Sequence, residues 1–327
     1  MLVRGHLTVR FARAKLKAMS TVIPTGRFAP TPSGEMHAGN LLCALLAYLS
    51  VKSKGGRFLV RVEDLDADRC PRSAADKILA TLDKLGLSGD EPPIFQSERG
   101  EIYRNKQEEL AKKARIYPCF CTRAQLHAAE APRLSDGGII YSGACRNLTA
   151  AEIEKLSKTR RPCLRVQVPD QEIGFCDKVA GKTVQNLKEG CGDFILRRSD
   201  GVFAYQFAVA VDDGESGVTE VVRGNDLLLS TPRQIWLMRL LGYAPPEYYH
   251  IPLVCDGFGR KLSKSEGDSA ARLIESFPRE KVLGFLAYCA GLTNGNRPAT
   301  LDELTAGFSW DKVRKDKIYL DKDLLNF

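Results

Sequence analysis

The chain has 327 residues, which is long enough to bury a sizeable core and to form two modest domains. No apolar run approaches the ~18 residues that a membrane-spanning helix needs, so no membrane partner is expected. The formal charge of +8 suits a polyanionic partner, and ten cysteines without a secretory signal indicate reduced thiols in a cytosol-like compartment.

Residues 1–20 form a basic extension with five lysines and arginines and no acid. Such a composition is found in organelle-targeting segments. A solvated basic tail, or a true start at Met19, explains the same residues, and we favour that interpretation. The predicted location is therefore the cytoplasm, with organelle targeting as the alternative.

The stretch Gly26 to Asn40, GRFAPTPSGEMHAGN, predicts a stiff loop leading into a helix. Pro30 and Pro32 restrict the backbone of the loop. Residues 40–49 are apolar almost all round, as in a helix buried against a sheet. The free N–H groups of a helix N-terminus favour an anion such as phosphate, and His37 lies at that end. A single histidine in such a loop is more often structural than catalytic.

Residues 57–64, RFLVRVED, have the pattern of a strand that ends in acids, among them Glu63. In open α/β sheets the ligand lies at the carboxyl ends of the strands, although acids at strand ends can also be helix caps. A helical stripe over 73–85 follows and ends at Gly86. Strand, helix, strand and helix in succession predict a parallel doubly wound sheet.

These motifs resemble those of class I aminoacyl-tRNA synthetases of the glutamyl type. The run PTPSGEMHAGN followed by RVEDLD is similar to the HIGH region of that family, with residues 37–40 as the HIGH variant. Residues 261–265, KLSKS, resemble its second motif, KMSKS. The resemblance covers about residues 26–267 and implies an α/β fold, namely the Rossmann-like doubly wound parallel sheet of class I synthetases.

A cysteine pattern lies between the two motifs. Cys119 and Cys121 are one residue apart, and Tyr141 and Cys145 follow after a polar loop. Three such thiols can form most of a tetrahedral zinc site, or they can simply pack in a core. The pattern resembles the zinc site of the short glutamyl-Q tRNA(Asp) synthetases and implies one structural Zn²⁺ on these four residues. Because nineteen residues separate Cys121 from Tyr141, His127 or a water could replace the tyrosine.

The remaining elements are predicted from local patterns. A surface helix is expected over 100–115, a short charged helix from 152, a strand at 164–168 and then loop to 187. Residues 194–198 and 203–211 are expected to be strands joined by a turn. A helix starts at Thr231-Pro232, residues 250–253 return to the sheet, and helices are expected at 279–289 and 301–308.

The resemblance implies a division of the chain into five parts. An inserted α+β acceptor-type subdomain with the zinc site is expected between the two halves of the catalytic domain. About sixty residues follow the KLSKS segment, so no anticodon-binding domain is expected. The predicted parts are the basic extension 1–20, the first catalytic half 21–115, the insertion 116–190, the second half 191–267 with the KLSKS loop, and a helical C-terminal remnant 268–327.

The same resemblance implies the site residues. Glu63 would pair with the α-ammonium of glutamate, and the planar guanidinium groups of Arg27 and Arg223 would grip its carboxylates. The expected catalytic residues are His37, Asn40, Lys261 and Lys264. ATP, with its Mg²⁺, is expected at His37, Gly39 and Lys264. The expected glutamate-binding residues are Arg27, Phe28, Ala29, Pro30, Thr31, Glu63, Tyr205 and Arg223.

The implied function is ATP-dependent activation of L-glutamate to glutamyl-adenylate and its transfer to the queuosine base of tRNA(Asp). One alternative is a shortened glutamyl-tRNA synthetase that charges tRNA(Glu). Another is an inactive paralogue that binds RNA, and a more distant one is a HIGH-type nucleotidyltransferase. The expected partners are ATP, glutamate and queuosine-containing tRNA(Asp), and the protein is expected to be a monomer.

Overall fold

The computed structural model describes residues 22–128, 140–256, 259 and 270–320. Residues 1–20 and the KLSKS lysines Lys261 and Lys264 lie outside this part. The helices in it are α1 (Ala38–Lys52), α2 (Arg72–Lys84), α3 (Gly100–Ala111), α4 (Arg123–Ala128), α5 (Ala150–Ser157), α6 (Leu187–Gly190), α7 (Tyr205–Glu215), α8 (Thr231–Leu240), α9 (Ala270–Ser276), α10 (Arg279–Ala290) and α11 (Leu301–Ala306). The strands are β1 (Thr25–Phe28), β2 (Arg57–Val62), β3 (Ile94–Phe95), β4 (Ile116–Cys119), β5 (Cys163–Val166), β6 (Glu172–Asp177), β7 (Gly181–Asn186), β8 (Phe194–Arg197), β9 (Glu220–Gly224), β10 (Glu247–Ile251), β11 (Val254–Asp256) and β12 (Ile318–Leu320).

A five-stranded parallel sheet forms the centre of the molecule, in the order β10-β9-β1-β2-β3. From β1 the chain builds outward in one direction to β3 and in the other to β10. The strand order therefore reverses between β1 and β9, which pair through Gly26 and Glu220. In a parallel sheet the crevice at such a reversal is where ligands bind. The predicted parallel α/β sheet is confirmed.

Helix α1 packs into the main core, as its sequence predicts. Eleven of its fifteen residues are buried, and they contact residues of β1, β2 and α10. The apolar surface on all sides is explained by this central position, because α1 has neighbours all round. Helix α2 also matches its prediction, and Gly86 behind it has φ +71, the left-handed conformation that favours glycine.

Residues 116–197 contain a three-stranded antiparallel sheet, β4-β5-β8, and a separate hairpin, β6–β7. The prediction of loop between 168 and 187 was wrong at this hairpin. Polar residues on both faces hide its strand pattern, and only Ile173 and Asp177 of β6 are buried. The hairpin lies against β10, where the Lys178 N–H donates to the Tyr248 carbonyl at 2.9 Å.

A second prediction was wrong at residues 203–211, where helix α7 replaces the expected strand. A short apolar run has the same composition in a buried strand and in a buried helix, so periodicity alone cannot separate the two. Here Phe207 to Asp213 are all buried, and α7 packs against α8. The helices predicted at 100–115 and 301–308 exist but end earlier, at Ala111 and Ala306.

In the described ranges, no helix has both the length and the apolar composition that crossing a bilayer would require.

Candidate functional site

A cavity of about 960 Å³ opens at the carboxyl edge of the sheet, beside the reversal between β1 and β9. It is framed by the loop after β1, the N-terminus of α1, the end of β2, the start of α7 and the end of β9. The structure brings most of the predicted site residues together here. Those that line the cavity are Arg27, Phe28, Ala29, Pro30, Thr31, His37, Gly39, Asn40, Glu63, Tyr205 and Arg223.

The loop after β1 is fastened to the end of β2. The Glu63 N–H donates to the Pro30 carbonyl at 2.9 Å, and the Thr31 hydroxyl donates to the Glu63 carboxylate at 3.4 Å. Burial raises the pKa of Glu63, although Arg61 and Arg27 oppose the rise. The ionised carboxylate of Glu63 would therefore attract a cation bound beside it strongly. The α-ammonium of an amino acid is such a cation.

His37 is the N-cap residue of α1 and lies at the cavity wall. Its backbone N–H donates to the Asn40 side-chain oxygen at 3.0 Å, so Asn40 caps the first turn. A Cβ on Gly39 would lie 3.0 Å from the His37 ring, and glycine leaves that ring its place. The N–H groups of this helix end favour a phosphate in the cavity.

Beneath the cavity, Asp213 of α7 joins two arginines. It accepts a hydrogen bond from Arg27 Nε at 3.1 Å and one from Arg61 Nη1 at 2.5 Å. Arg61 also reaches Glu63 at 3.3 Å. Burial opposes the ionisation of Asp213, but Arg27 and Arg61 outweigh it and lower its pKa to about 2. Two side chains that line the cavity, Arg27 and Glu63, are thus held through one buried ion network.

Asp212, the neighbour of Asp213, adds a further negative charge to the network. Asp212 accepts hydrogen bonds from Arg99 at 2.7 Å, from Gln96 at 2.7 Å and from the Tyr103 hydroxyl at 2.8 Å. Sequence reasoning did not identify Arg61 or Asp213 as site residues. Two signals were present, since Arg61 interrupts an apolar strand and the two aspartates follow an apolar run.

Arg223 of β9 is held from three sides on the opposite wall. Its Nη1 donates to Gln234 at 2.8 Å, its Nη2 to the Thr231 hydroxyl at 2.7 Å, and its Nε to His250 Nε2 at 3.0 Å. Tyr205, the first residue of α7, lies nearby, and burial raises the pKa of its hydroxyl. Together with Arg27, Arg223 makes the cavity suitable for an anionic small molecule.

The buried His250 should make the folded protein less stable in acid. Burial lowers its pKa from 6.5 to about 4, against the hydrogen bond to Asp177. As the pH falls from 6.5 toward 4, the unfolded chain takes up a proton at this residue that the folded chain does not, so stability present above 6.5 is lost. We expect the unfolding free energy of the His250→Gln variant to fall less over this window than that of the unmodified protein. Urea midpoints at about pH 7 and about pH 4.5 measure this, and an equal fall in both proteins would contradict it.

The four predicted metal ligands also come together, away from the cavity. The sulfur atoms of Cys119, Cys121 and Cys145 lie within 4.8 Å of one another, and those of Cys121 and Cys145 are 3.6 Å apart. The Tyr141 hydroxyl is 3.4 Å from the Cys119 sulfur and 3.6 Å from the Cys121 sulfur. Sulfur atoms about 2.3 Å from a tetrahedral zinc ion are about 3.8 Å apart, so the spacing fits the ion.

The groups around the cluster affect its thiols differently. The hydrogen bond from the Cys163 thiol, helped by the Tyr141 hydroxyl, lowers the pKa of Cys119 to about 4, whereas burial raises the pKa of Cys121 to about 11. The Tyr141 oxygen is oriented by the Cys145 backbone N–H, which donates to it at 2.7 Å. The side chain of His127, the alternative fourth ligand, lies outside the described residues. All ten cysteines are free thiols.

The family model for the catalytic domain of class I tRNA synthetases (E and Q) matches residues 24–326. Among curated proteins, the chain is 42% identical to the glutamyl-Q tRNA(Asp) synthetase of Symbiobacterium thermophilum, over 92% of this chain and 97% of that protein. It is 46% identical to the protein of the same name from Thiobacillus denitrificans, over 75% of this chain and 79% of the relative.

Among solved structures, the chain is similar to the glutamate-tRNA synthetase of Elizabethkingia anophelis. The TM-score is 0.80 at 28% identity, and the match covers 93% of this chain and 69% of the other. A glutamate tRNA ligase from Elizabethkingia meningosepticum, solved in complex with its amino acid, matches equally well, at a TM-score of 0.80.

Proposed function

The chain belongs to the class I tRNA synthetases of the E and Q type and, within them, to the glutamyl-Q tRNA(Asp) synthetases, and from this premise we propose that it glutamylates queuosine in tRNA(Asp). It is a class I synthetase-like ligase. The proposed reaction activates L-glutamate with ATP to glutamyl-adenylate and then transfers the glutamyl group to the modified base.

The observation that carries the proposal is the charge pattern of the cavity. Two buried arginines, Arg27 and Arg223, and one buried acid, Glu63, line the same space, and the two other acids of the lining, Glu35 and Asp226, are exposed. That pattern matches glutamate, which offers two carboxylates and one ammonium, better than glutamine, which offers one carboxylate. Because the guanidinium groups of Arg27 and Arg223 are buried, their attraction for carboxylates is stronger than in water.

Activation requires attack by the substrate carboxylate on the α-phosphorus of ATP, and no protein nucleophile is needed. The protein contributes positioning and charge stabilisation. We propose that His37 and the α1 N-terminus bind the phosphates of ATP, with Gly39 leaving room for the ring. Asn40 maintains the first turn of α1. Lys264 and Lys261 would stabilise the departing pyrophosphate, and Mg²⁺ would accompany ATP.

The test is charging of three RNAs with labelled glutamate: tRNA(Asp) with queuosine, tRNA(Asp) without it, and tRNA(Glu). The proposal expects label on the queuosine form alone. Label on tRNA(Glu) would make the protein a conventional glutamyl-tRNA synthetase. No label on any RNA, together with no glutamate-dependent pyrophosphate exchange, would support an inactive RNA-binding paralogue.

We also propose that Cys119, Cys121, Cys145 and Tyr141 hold one structural zinc ion. Zinc bound there would link β4 to the segment around Cys145, and no general base lies among the four ligands. The Cys145→Ser variant is expected to lose the metal, because a serine hydroxyl is a poor substitute for a thiolate on zinc. Metal analysis of the purified proteins measures this.

Cys191→Ser is the matched control for the zinc test. Cys191 is also buried, but its thiol donates to the Leu187 carbonyl at 3.1 Å and lies outside the cluster. The control should retain about one zinc per chain, as the unmodified protein should. Equal zinc contents in the Cys145→Ser variant and the control would contradict the proposed metal site.

A further inference from the structure

Arg223 has a fixed number of hydrogen-bond donors, and most of them are already used. A guanidinium carries five N–H groups. Three of them are directed to Gln234, Thr231 and His250 by the contacts described above. One N–H on each terminal nitrogen is left over by these three contacts, and Arg223 lines the cavity. Two N–H groups on neighbouring nitrogens suit a bidentate grip on a carboxylate.

The contact with His250 determines which ring nitrogen of that histidine carries the proton. The Arg223 Nε always bears a hydrogen, so His250 Nε2, 3.0 Å away, must accept. The proton then belongs on Nδ1, which lies 2.6 Å from the Asp177 carboxylate and donates to it. Burial lowers the pKa of His250 to about 4, so the ring is neutral near pH 7.

Asp177 itself is rigidly held. It ends β6, and both its side chain and that of His250 are fully buried. Its Oδ1 accepts from the backbone N–H groups of Val179 and Ala180 at 2.9 and 2.7 Å, and the His250 N–H also donates to this carboxylate at 3.2 Å. Asp177 thus links the β6–β7 hairpin to the edge strand β10.

We propose that Asp177 and His250 are positioning residues that orient Arg223 for a substrate carboxylate. Asp177 selects the ring tautomer, the ring accepts the Arg223 Nε–H, and the guanidinium is left with its terminal nitrogens toward the ligand. Register supports this, because His250 and Arg223 are direct partners on the neighbouring strands β10 and β9. This inference deepens the proposed function and rests on it for the identity of the ligand.

Two substitutions of His250 separate positioning from simple packing. The side-chain amide that His250→Gln introduces reaches the place of Nε2 and can still accept from Arg223. The shorter amide that His250→Asn introduces reaches only the place of Nδ1 and leaves the Arg223 Nε–H without its acceptor. A hydrogen bond to a charged group is worth about a factor of ten or more, so His250→Asn should raise the glutamate KM about tenfold and His250→Gln about threefold or less. The ATP KM should change little in either variant.

Asp177→Asn tests the tautomer. With an amide in place of the acid, Nδ1 can accept a hydrogen bond and the proton can move to Nε2, where it opposes the Arg223 Nε–H. The glutamate KM should then rise about tenfold. Asp170→Asn is the control, because Asp170 is an exposed acid of the same insertion that contacts Asn186 and Lys188. It should leave the glutamate KM unchanged.

The decisive measurement is ¹⁵N NMR of the four histidines in the full-length chain, with His250 assigned from the His250→Gln spectrum. The inference expects His250 protonated on Nδ1 in the unmodified protein and on Nε2 in Asp177→Asn. Protonation on Nε2 in the unmodified protein would overturn it, whether or not the protein activates glutamate. Equal glutamate KM values for His250→Asn and His250→Gln would also overturn it. Absence of glutamate-dependent exchange in the unmodified protein would instead contradict the proposed function.

Discussion

Replacing Arg223 by glutamine should reduce kcat/KM for glutamate in ATP–pyrophosphate exchange by about 10²- to 10³-fold. Removing one partner of a buried charge pair costs about 2–5 kcal/mol, and each 1.4 kcal/mol is a factor of ten. The glutamine side chain carries no charge and cannot make the bidentate contact. Because Arg223 is proposed to bind glutamate and not ATP, the KM for ATP should change far less.

Arg239→Gln is the control for this substitution, since Arg239 is an exposed residue near the end of α8. Its exchange activity should equal that of the unmodified protein within about twofold. Arg223→Lys should also be strongly impaired, because a lysine ammonium is a point charge without the planar fork. Undiminished exchange in the Arg223→Gln variant would show that this wall of the cavity does not bind the substrate.

Replacing Arg61 by methionine should lower the unfolding free energy by about 3–5 kcal/mol, the typical cost of removing one partner of a buried ion pair. Arg61 is 1% exposed. It contacts Asp213 at 2.5 Å, Glu63 at 3.3 Å and Asp212 at 3.8 Å. Without it, three buried carboxylates would share only Arg27 and Arg99 as positive partners. Urea unfolding followed by circular dichroism measures the change.

Two further variants sharpen the test of Arg61. Arg72→Met replaces an arginine whose side chain is 58% exposed, and it should change stability by less than about 1 kcal/mol. Adding Asp213→Asn to Arg61→Met removes one of the three buried negative charges, so the double variant should be less destabilised than the sum of the two single variants. A loss within about 1 kcal/mol for Arg61→Met would mean that the network is not held together by this residue.

The buried ion network joins the core of the protein to the wall of the cavity. Arg61 and Asp213 stabilise the junction of β1, β2 and α7, and the same contacts hold Arg27 and Glu63 at the cavity. A buried ion network is weak evidence for net stability, because the desolvation of the charges offsets much of their attraction. Its position under the cavity indicates that placing Arg27 and Glu63 precisely is the more important consequence.

The sequence by itself determined that the central sheet is parallel, and it predicted part of the frame of the cavity. Helix α1, strand β2 and helix α8 each follow from short-range patterns of proline, glycine and apolar residues. The loop before α1 was also predicted, but its expected start at Gly26 was wrong, because residues 26–28 belong to strand β1. Such signals depend on neighbours along the chain, so they are visible without the fold. The predicted residues that meet at the cavity lie at strand ends and at a helix N-terminus, and parallel strands bring such ends to one edge.

The predictions from local patterns were wrong where tertiary contacts determine the secondary structure. Residues 203–211 are apolar enough for a strand, but they form the buried helix α7 because α8 covers one side of it. The hairpin β6–β7 was missed because β6 has only two apolar residues on its inner face, Ile173 and Phe175, and because its strands are stabilised by pairing with each other and by contact with β10. Periodicity cannot report either effect, since both come from elements far apart in the chain.

Only the tertiary structure decided how the arginines of the site are held. Asp177 and His250 are 73 residues apart, and Arg27 and Asp213 are 186 apart. A buried charge is tolerated only where a partner of opposite charge or a hydrogen-bond acceptor meets it, and sequence spacing does not say which distant residue will do so. The residue types required at the cavity could be predicted from the sequence, but their partners could not, because the packing of α7, β10 and the β6–β7 hairpin brings those partners into contact.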